Sequence, residues 1–316
     1  MTEDFPNIRY GLIGHPVQGS GSPALFRAAY NGAWPYDLID EADFETAWNR
    51  FLTGYRAVNV TAPFKEKAFA KVLQAVREGR GSLDGPAART GATNLVVRTD
   101  EGLEAHNADF SGILLTVAES YFPGIVREFL GTFGERFHIK VHQFCRARLE
   151  SLFKERPQAL VVGLGGAGKA AAVAAAELGF ATVLMNRTPE KAQAFADALP
   201  EYGFLVDPLS DFAGAVKECD LVIYTLPVAL EEIAGLSADD LVSTNGAGKR
   251  ILEANYRQPS FDGAAQFKTA AAGGEYLHGR RWLLYQALAG YGLMTGRTPD
   301  LDALEKESAR SAGKSE

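Results

Sequence analysis

Gly163, Gly165 and Gly168 stand in "VVGLGGAGKAAA" at G-x-G-x-x-G spacing, directly after a strand-like run and at the opening of an Ala-rich helical one. One glycine makes the tight turn, one lets the backbone approach a pyrophosphate, and one lets helix and strand pack closely. A phosphate would rest on the free N–H groups around Gly165, Gly166 and Ala167, at the positive end of the helix dipole. A glycine turn serving packing alone is the plainer alternative. At the end of the following strand an acidic residue would hold the ribose hydroxyls of NAD. The chain has "MNRTPEKA" there instead, and Asn186, Arg187 and Thr188 offer donors and a planar cation suited to a 2′-phosphate. This favours NADP over NAD. The same three residues also read as a cap for "PEKAQAF", with Thr188 before Pro189, and the two readings are compatible.

The other candidate chemistry lies in the first third of the chain. In "NVTAPFKEKA" a β-type run, Ala57-Val58-Asn59-Val60, meets a proline and then Lys65, one turn into a new helical pattern. An isolated lysine is usually a solvated surface charge. Around it, however, Ser20 and Ser22 ("GHPVQGSGSP"), Asn59, Thr61, Asn94 ("GATN"), Asn107 and Asp109 ("HNADFSG") all fall at strand ends or in loops. Each alone is an ordinary cap or turn former.

These residues need a scaffold. The first third alternates strand-like "IRYGLIG", "PYDLIDEA" and "RAVNVTA" with helix-like "PALFRAAYNGA", "DFETAWNRFL" and "FKEKAFAKVLQAV". Ser22 reads as the cap of the first helix, before Pro23, and "ATNLVVRTDEGLEAHN" as a hairpin. Such alternation predicts an open α/β sheet. From Phe110 to Gln158 the strand pattern stops and the periodicity is helical. At Ala159 a second α/β unit begins, and an amphipathic helix runs from about Arg280 to Thr295. The expected fold class is therefore α/β with two domains. Residues 1–110 plus about 275–316 form an N-terminal substrate domain, 111–157 a helical connection, and 158–274 a Rossmann-like dinucleotide-binding domain.

Composition narrows the function. A net charge of −7 over 316 residues leaves no basic footprint for nucleic acid. Two cysteines, Cys145 and Cys219, without paired spacing fit a reducing compartment. The start "MTEDFPNIRY" resembles no secretory signal, and no apolar run is of membrane-spanning length, so a cytoplasmic location is expected. His138, His142 and Cys145 share helical spacing in the middle segment, but three ligands without a fourth read as a packed helix rather than a metal site. The polar tail after Pro299 is expected to fray into solvent.

Taken together in order, these motifs resemble the shikimate dehydrogenase family, from about Tyr10 to Gly296 with the middle segment as a break. "GHPVQGSGSP" is similar to the family's G-x-P-x-x-H-S-x-S-P, "NVTAPFK" to N-V-T-x-P-x-K, "GATN" to G-A-x-N-T and "HNADFSG" to x-N-T-D-x-x-G. "GLGGAGKA" and "NRT" match its cofactor motifs, and "LLYQALAGYGLMTG" looks like its helix with a substrate-binding glutamine. The resemblance implies NADP-dependent interconversion of 3-dehydroshikimate and shikimate, on the route to aromatic amino acids. It maps the proton-transferring lysine onto Lys65 and its carboxylate partner onto Asp109. Burial lowers a lysine's pKa and a nearby carboxylate raises it; sequence does not rank the two. Ser20 and Ser22, with Tyr256, would take the substrate carboxylate, and Thr61, Asn94, Asp109 and Gln286 its ring hydroxyls. Neutral donors with one acid and one base suit a small hydroxylated acid, as monomer or homodimer.

The chain departs from the family pattern at several points. Gly19 replaces a histidine, Phe26-Arg27 a His-Asn pair, and Leu95 and Ala108 threonines; Arg281 and Trp282 replace a small residue and Met. In "VIYTLPVALEE", Tyr224, Leu226 and Ala229 replace the Asn, Thr and Gly of a loop that lies beside the nicotinamide in the family. The middle segment is longer than the family's linker. Three alternatives therefore stand beside the main reading: a dehydrogenase of quinate or a related acid using NAD, a non-catalytic shikimate-binding sensor, and a scaffold whose middle helices bind a partner.

Overall fold

The computed structural model describes residues 8–312. Along the first part of the chain run β1 (Tyr10–Gly14), α1 (Ser22–Ala29), β2 (Tyr36–Asp40), α2 (Phe44–Gly54), β3 (Ala57–Val60), α3 (Lys65–Arg77), β4 (Gly81–Leu83), α4 (Gly85–Thr90), β5 (Leu95–Thr99) and β6 (Gly102–His106). Three helices follow: α5 (Ala108–Tyr121), α6 (Ile125–Phe133) and α7 (Phe137–Arg148). Then come β7 (Gln158–Val162), α8 (Gly166–Glu177), β8 (Ala181–Met185), α9 (Pro189–Ala198), β9 (Leu205–Val206), α10 (Phe212–Glu218), β10 (Leu221–Tyr224), α11 (Glu232–Gly235), α12 (Ala238–Leu241), β11 (Arg250–Glu253), α13 (Gly263–Ala271) and β12 (Glu275–His278). The chain closes with α14 (Gly279–Thr295) and α15 (Leu301–Ala312). Two compact units result: residues up to Ala108 together with those from Gln286 on, and Asp109–Tyr285. Among the described residues no helix is long and apolar enough to cross a membrane.

In the first unit the sheet order is β2-β1-β3-β5-β6-β4. β1 pairs parallel with β2 and β3, and β5 runs antiparallel to β3, with Asn59 opposite Leu95. The ends of β1, β3 and β6 and the start of β5 thus meet at one edge of the sheet. Ile13, Phe51, Val58, Phe64, Val72 and Val96 fill the core beneath it. The second unit is a six-stranded parallel sheet, β12-β11-β10-β7-β8-β9. Its core includes Leu160, Val162, Met185, Val222, Tyr224 and Phe261.

Two local expectations fail. Ser22 does not cap α1: Gly21 holds the cap position, and no side chain makes a cap bond. The Ser22 amide instead donates to Ser20 Oγ (3.2 Å), and the Ser22 hydroxyl oxygen accepts from the Ser20 hydroxyl (3.1 Å). The tail after Pro299 does not fray over 301–312. Asp300 Oδ1 accepts from the Ala303 amide, and the resulting helix α15 lies against α1 with Leu301 and Leu304 buried. Its apolar residues at i and i+3 supply the one stripe a polar helix needs.

Candidate active site

The functional side chains of the first unit are set by that sheet edge. β1 ends at Gly14, where an added Cβ would lie 2.4 Å from Thr61 Cγ2, so the loop after β1 and the loop after β3 are pressed together. The first loop carries Ser20 and Ser22, whose hydroxyl oxygens are 3.1 Å apart. The second carries Thr61, and Lys65 opens α3 immediately beyond, half-buried. The Lys65 carbonyl accepts from the Thr93 amide (3.3 Å), which ties it to the residue before Asn94.

Asn94 is the best-defined member. It is buried, 1% exposed, and its backbone carbonyl accepts from the Val60 amide. Its Oδ1 accepts from the Ala108 amide at 2.7 Å, while Nδ2 finds no acceptor among the described residues. A buried donor left open costs roughly 1–3 kcal/mol unless a ligand answers it. Asn107, by contrast, spends its amide on Thr90 Oγ1 and the Ala92 carbonyl, holding the loop before Asn94. The C-terminal part of α14 lies over the same strands: a Cβ on Gly290 would meet Ala108 Cβ at 3.3 Å, with Asn59 Nδ2 and Leu95 Cδ2 at 4.0 Å. Gln286 is one turn earlier on that face and half-buried.

Sequence reasoning did not pick out the support beneath these residues. Phe26, where the family has a histidine, is fully buried and packs on Tyr10, Tyr30, Tyr36 and Tyr291. From this cluster Tyr36 donates to Asn59 Oδ1 (2.8 Å) and Tyr291 to the Ser22 carbonyl (3.1 Å). Desolvation holds both phenols well above their ordinary pKa, so both remain donors.

Two of the residues singled out lie on the second unit. Asp109, buried in the first turn of α5, is its first residue. Tyr256 is half-buried in the loop after β11, whose form is set by Glu253: the fully buried carboxylate accepts from the amides of Ser260 and Phe261 and from Tyr276 Oη (2.8 Å).

The second unit also carries a cleft of about 270 Å³, lined by Gly163–Gly165, Asn186–Thr188, Lys191 and Thr225–Pro227. α8 starts at Gly166 with Gly165 as its cap residue and no side-chain cap, so its first amides have no intrahelical acceptor. The glycines differ in what they allow. A Cβ on Gly168 would sit 1.8 Å from the Gly163 carbonyl oxygen, so that position closes helix onto turn. A Cβ on Gly165 would meet nothing within 4 Å, so the space above it is open for a ligand. Asn186 bridges the cleft's two sides: Oδ1 accepts from the Leu164 amide (3.1 Å) and Nδ2 donates to the Thr188 carbonyl (2.9 Å). Thr188 occupies the cap position of α9, but its hydroxyl makes no cap bond. Arg187 and Lys191 supply cations to the same end. Open amides, an uncrowded glycine and two cations fit a dinucleotide with an extra phosphate. Lys191, Thr225 and Pro227 were missed, although Lys191 stands in "NRTPEK", one turn beyond Thr188.

The α7 residues His138, His142 and Cys145 are otherwise engaged or buried: His142 Nε2 is 3.3 Å from the Glu177 carbonyl oxygen, and Cys145 is fully buried. Among the described residues no group of three His, Cys, Asp or Glu could hold a metal ion.

The chain is similar to known proteins. The family profile described as Shikimate / quinate 5-dehydrogenase matches residues 147–231, the stretch that holds the cleft. The shikimate dehydrogenase (NADP(+)) of Xanthomonas campestris pv. campestris strain 8004 is 30% identical over 306 residues, covering 94% of each chain. That of Moorella thermoacetica is 30% identical over 319 residues, covering 96% of this chain and 93% of its own. Among solved structures, shikimate 5-dehydrogenase from Thermus thermophilus in complex with NADP(H) and shikimate matches with a TM-score of 0.69 at 26% identity, over 96% of this chain and 99% of that one. The likeness runs over most of the length of both chains. The chain belongs to the shikimate dehydrogenase family.

Proposed function

We propose that this chain is a cytoplasmic, NADP-dependent shikimate dehydrogenase that interconverts 3-dehydroshikimate and shikimate. The observation that carries the reading is Asn94, a buried amide whose donor no atom of the described residues answers. It stands at the sheet edge where Ser20, Ser22, Thr61 and Lys65 also stand, in a chain whose relatives bear that name. Ser20 and Ser22 bind the substrate carboxylate, and Tyr256 adds a third donor. Asn94 Nδ2 donates to a ring hydroxyl, and Thr61, Gln286 and Asp109 read the others. A site of this kind rejects analogues lacking a hydroxyl, because its buried groups would go unpaired. In the oxidative direction Lys65 takes the hydroxyl proton, assisted by Asp109, and returns it in the reductive direction. NADP, held by the glycine turn and by Arg187 and Lys191, supplies the chemistry the side chains lack by accepting or giving the hydride.

The test is absorbance at the nicotinamide band with shikimate and NADP, then NAD, then quinate, for wild type and Lys65→Ala. Turnover with shikimate and NADP, lost by roughly 10²–10⁴-fold in the variant while shikimate still binds, is the expected result. Shikimate binding with no reduction of either cofactor would refute the enzymatic reading.

A further inference from the structure

The β10–α11 loop holds a constraint that the reaction itself does not require. β10 ends at Tyr224, which is fully buried, and its hydroxyl turns back onto the loop that follows. Tyr224 Oη donates to the Val228 carbonyl (2.7 Å) and accepts from the Leu230 amide (3.1 Å). Residues 224–230 are thereby closed into a ring, with Val228 at a solvent-exposed tip, 56% exposed. Inside that ring lie Thr225, Leu226 and Pro227, three of the residues that line the cleft. Thr225 Oγ1 lies 2.9 Å from the Val162 carbonyl oxygen and 3.0 Å from that of Gly163. Leu226 comes so close that a Cβ on Gly163 would be 2.9 Å from its Cδ2. The loop's position therefore sets the outline of the glycine turn.

We propose that Tyr224 is a positioning residue for the dinucleotide: its hydroxyl clasps residues 225–230 into the conformation that walls the cleft and abuts the glycine turn. The inference rests on NADP as the ligand of that cleft. The clasp stands where the family's loop has an asparagine, so in this chain a single phenol supplies the loop's internal bonds. Burial pushes that phenol up to about 12, which keeps it a donor to Val228 throughout the working range. The ring itself packs on Phe212 (6.4 Å) and Phe261 (5.7 Å), contacts that phenylalanine would keep.

Tyr224→Phe therefore removes the clasp and leaves the core. Without it the loop samples other conformers, and apparent affinity falls with the fraction that remains competent. The full-length protein is studied by calorimetric titration with NADP, by hydrogen–deuterium exchange without ligand, and by steady-state kinetics. The expected result is faster exchange across 225–230, a rise of about fivefold in Kd and KM for NADP, the size of one net hydrogen bond, and an unchanged KM for shikimate. Thr225→Val, which cuts a second side-chain tether of the loop, should shift the same quantities in the same direction. Faster exchange with unchanged NADP affinity in both variants would make the clasp merely structural and overturn the inference; so would unchanged exchange in Tyr224→Phe. A wild-type protein that binds neither NADP nor NAD would instead refute the dinucleotide reading itself, and this inference with it.

Discussion

The glycine turn permits a paired test in which two similar substitutions should fail for different reasons. Gly168→Ala places a methyl 1.8 Å from the Gly163 carbonyl oxygen, 2.7 Å from its carbon and 3.0 Å from Thr225 Oγ1. To reach a tolerable ~3.0 Å, helix α8 and the turn must part by about 1.2 Å, and overpacking of this kind costs about 1–3 kcal/mol. Because the atoms that must move are the ones that would face the pyrophosphate, stability and NADP binding should fall together. Gly165→Ala meets nothing within 4 Å and sits at φ −73°, ψ −173°, which alanine adopts freely. The fold should tolerate it, or gain about 0.4–1 kcal/mol through the unfolded chain. Its methyl nevertheless occupies the space through which phosphate must approach. A clash of about 1–3 kcal/mol there means a Kd raised roughly 5- to 150-fold. Thermal unfolding and calorimetric titration with NADP, run on both variants, separate the effects. If Gly165→Ala binds NADP as wild type does, the phosphate does not cross that Cα and the cleft has been misread; if it unfolds early, the space above Gly165 is not open.

Other residues give simpler tests. Asn94→Asp keeps an acceptor for the Ala108 amide but replaces the open donor, so KM for shikimate should rise tenfold or more at roughly 1.4 kcal/mol, and burying a carboxyl there should lower Tm as well; an unchanged KM would remove Asn94 from the site. Leu304→Ala empties a fully buried position in α15 and should cost about 2–5 kcal/mol in urea unfolding, whereas a frayed tail would show no loss. Lys249 is fully buried and its ammonium donates to the carbonyls of Val216, Lys217 and Cys219 at the end of α10. Lys249→Met should lower stability by about 2–3 kcal/mol or more by orphaning them, and an unchanged midpoint would show that water replaces the amine.

The parts of the molecule that sequence made legible are those where local chemistry and global geometry ask for the same residue. Gly163 and Gly168 are demanded by a turn a few residues long, and Lys65, Thr61 and Asn94 fall at strand ends that period-2 runs announce. β11, β12 and β4 were not legible, because three or four residues such as "RILE" or "GSL" contain too few periods to separate strand from loop. The α15 helix was missed for a related reason: its polarity hid Leu301 and Leu304, and only the surface offered by α1 decides that two leucines suffice. Ser22 and Thr188 show the opposite error. Both are good cap residues by type, both stand just before a proline, and neither side chain caps. At both positions other surroundings override the local rule, since the Ser22 hydroxyl accepts from Ser20 and Thr188 lines the cleft, so failure of the rule coincides with the candidate site. Tyr224 extends that logic. As a departure from the family it reads as damage to a cofactor loop, yet its buried hydroxyl closes that loop on itself. Whether a substitution weakens or preserves a site thus depends on which backbone groups it satisfies, and that is fixed by the path of the chain rather than by the residue's name.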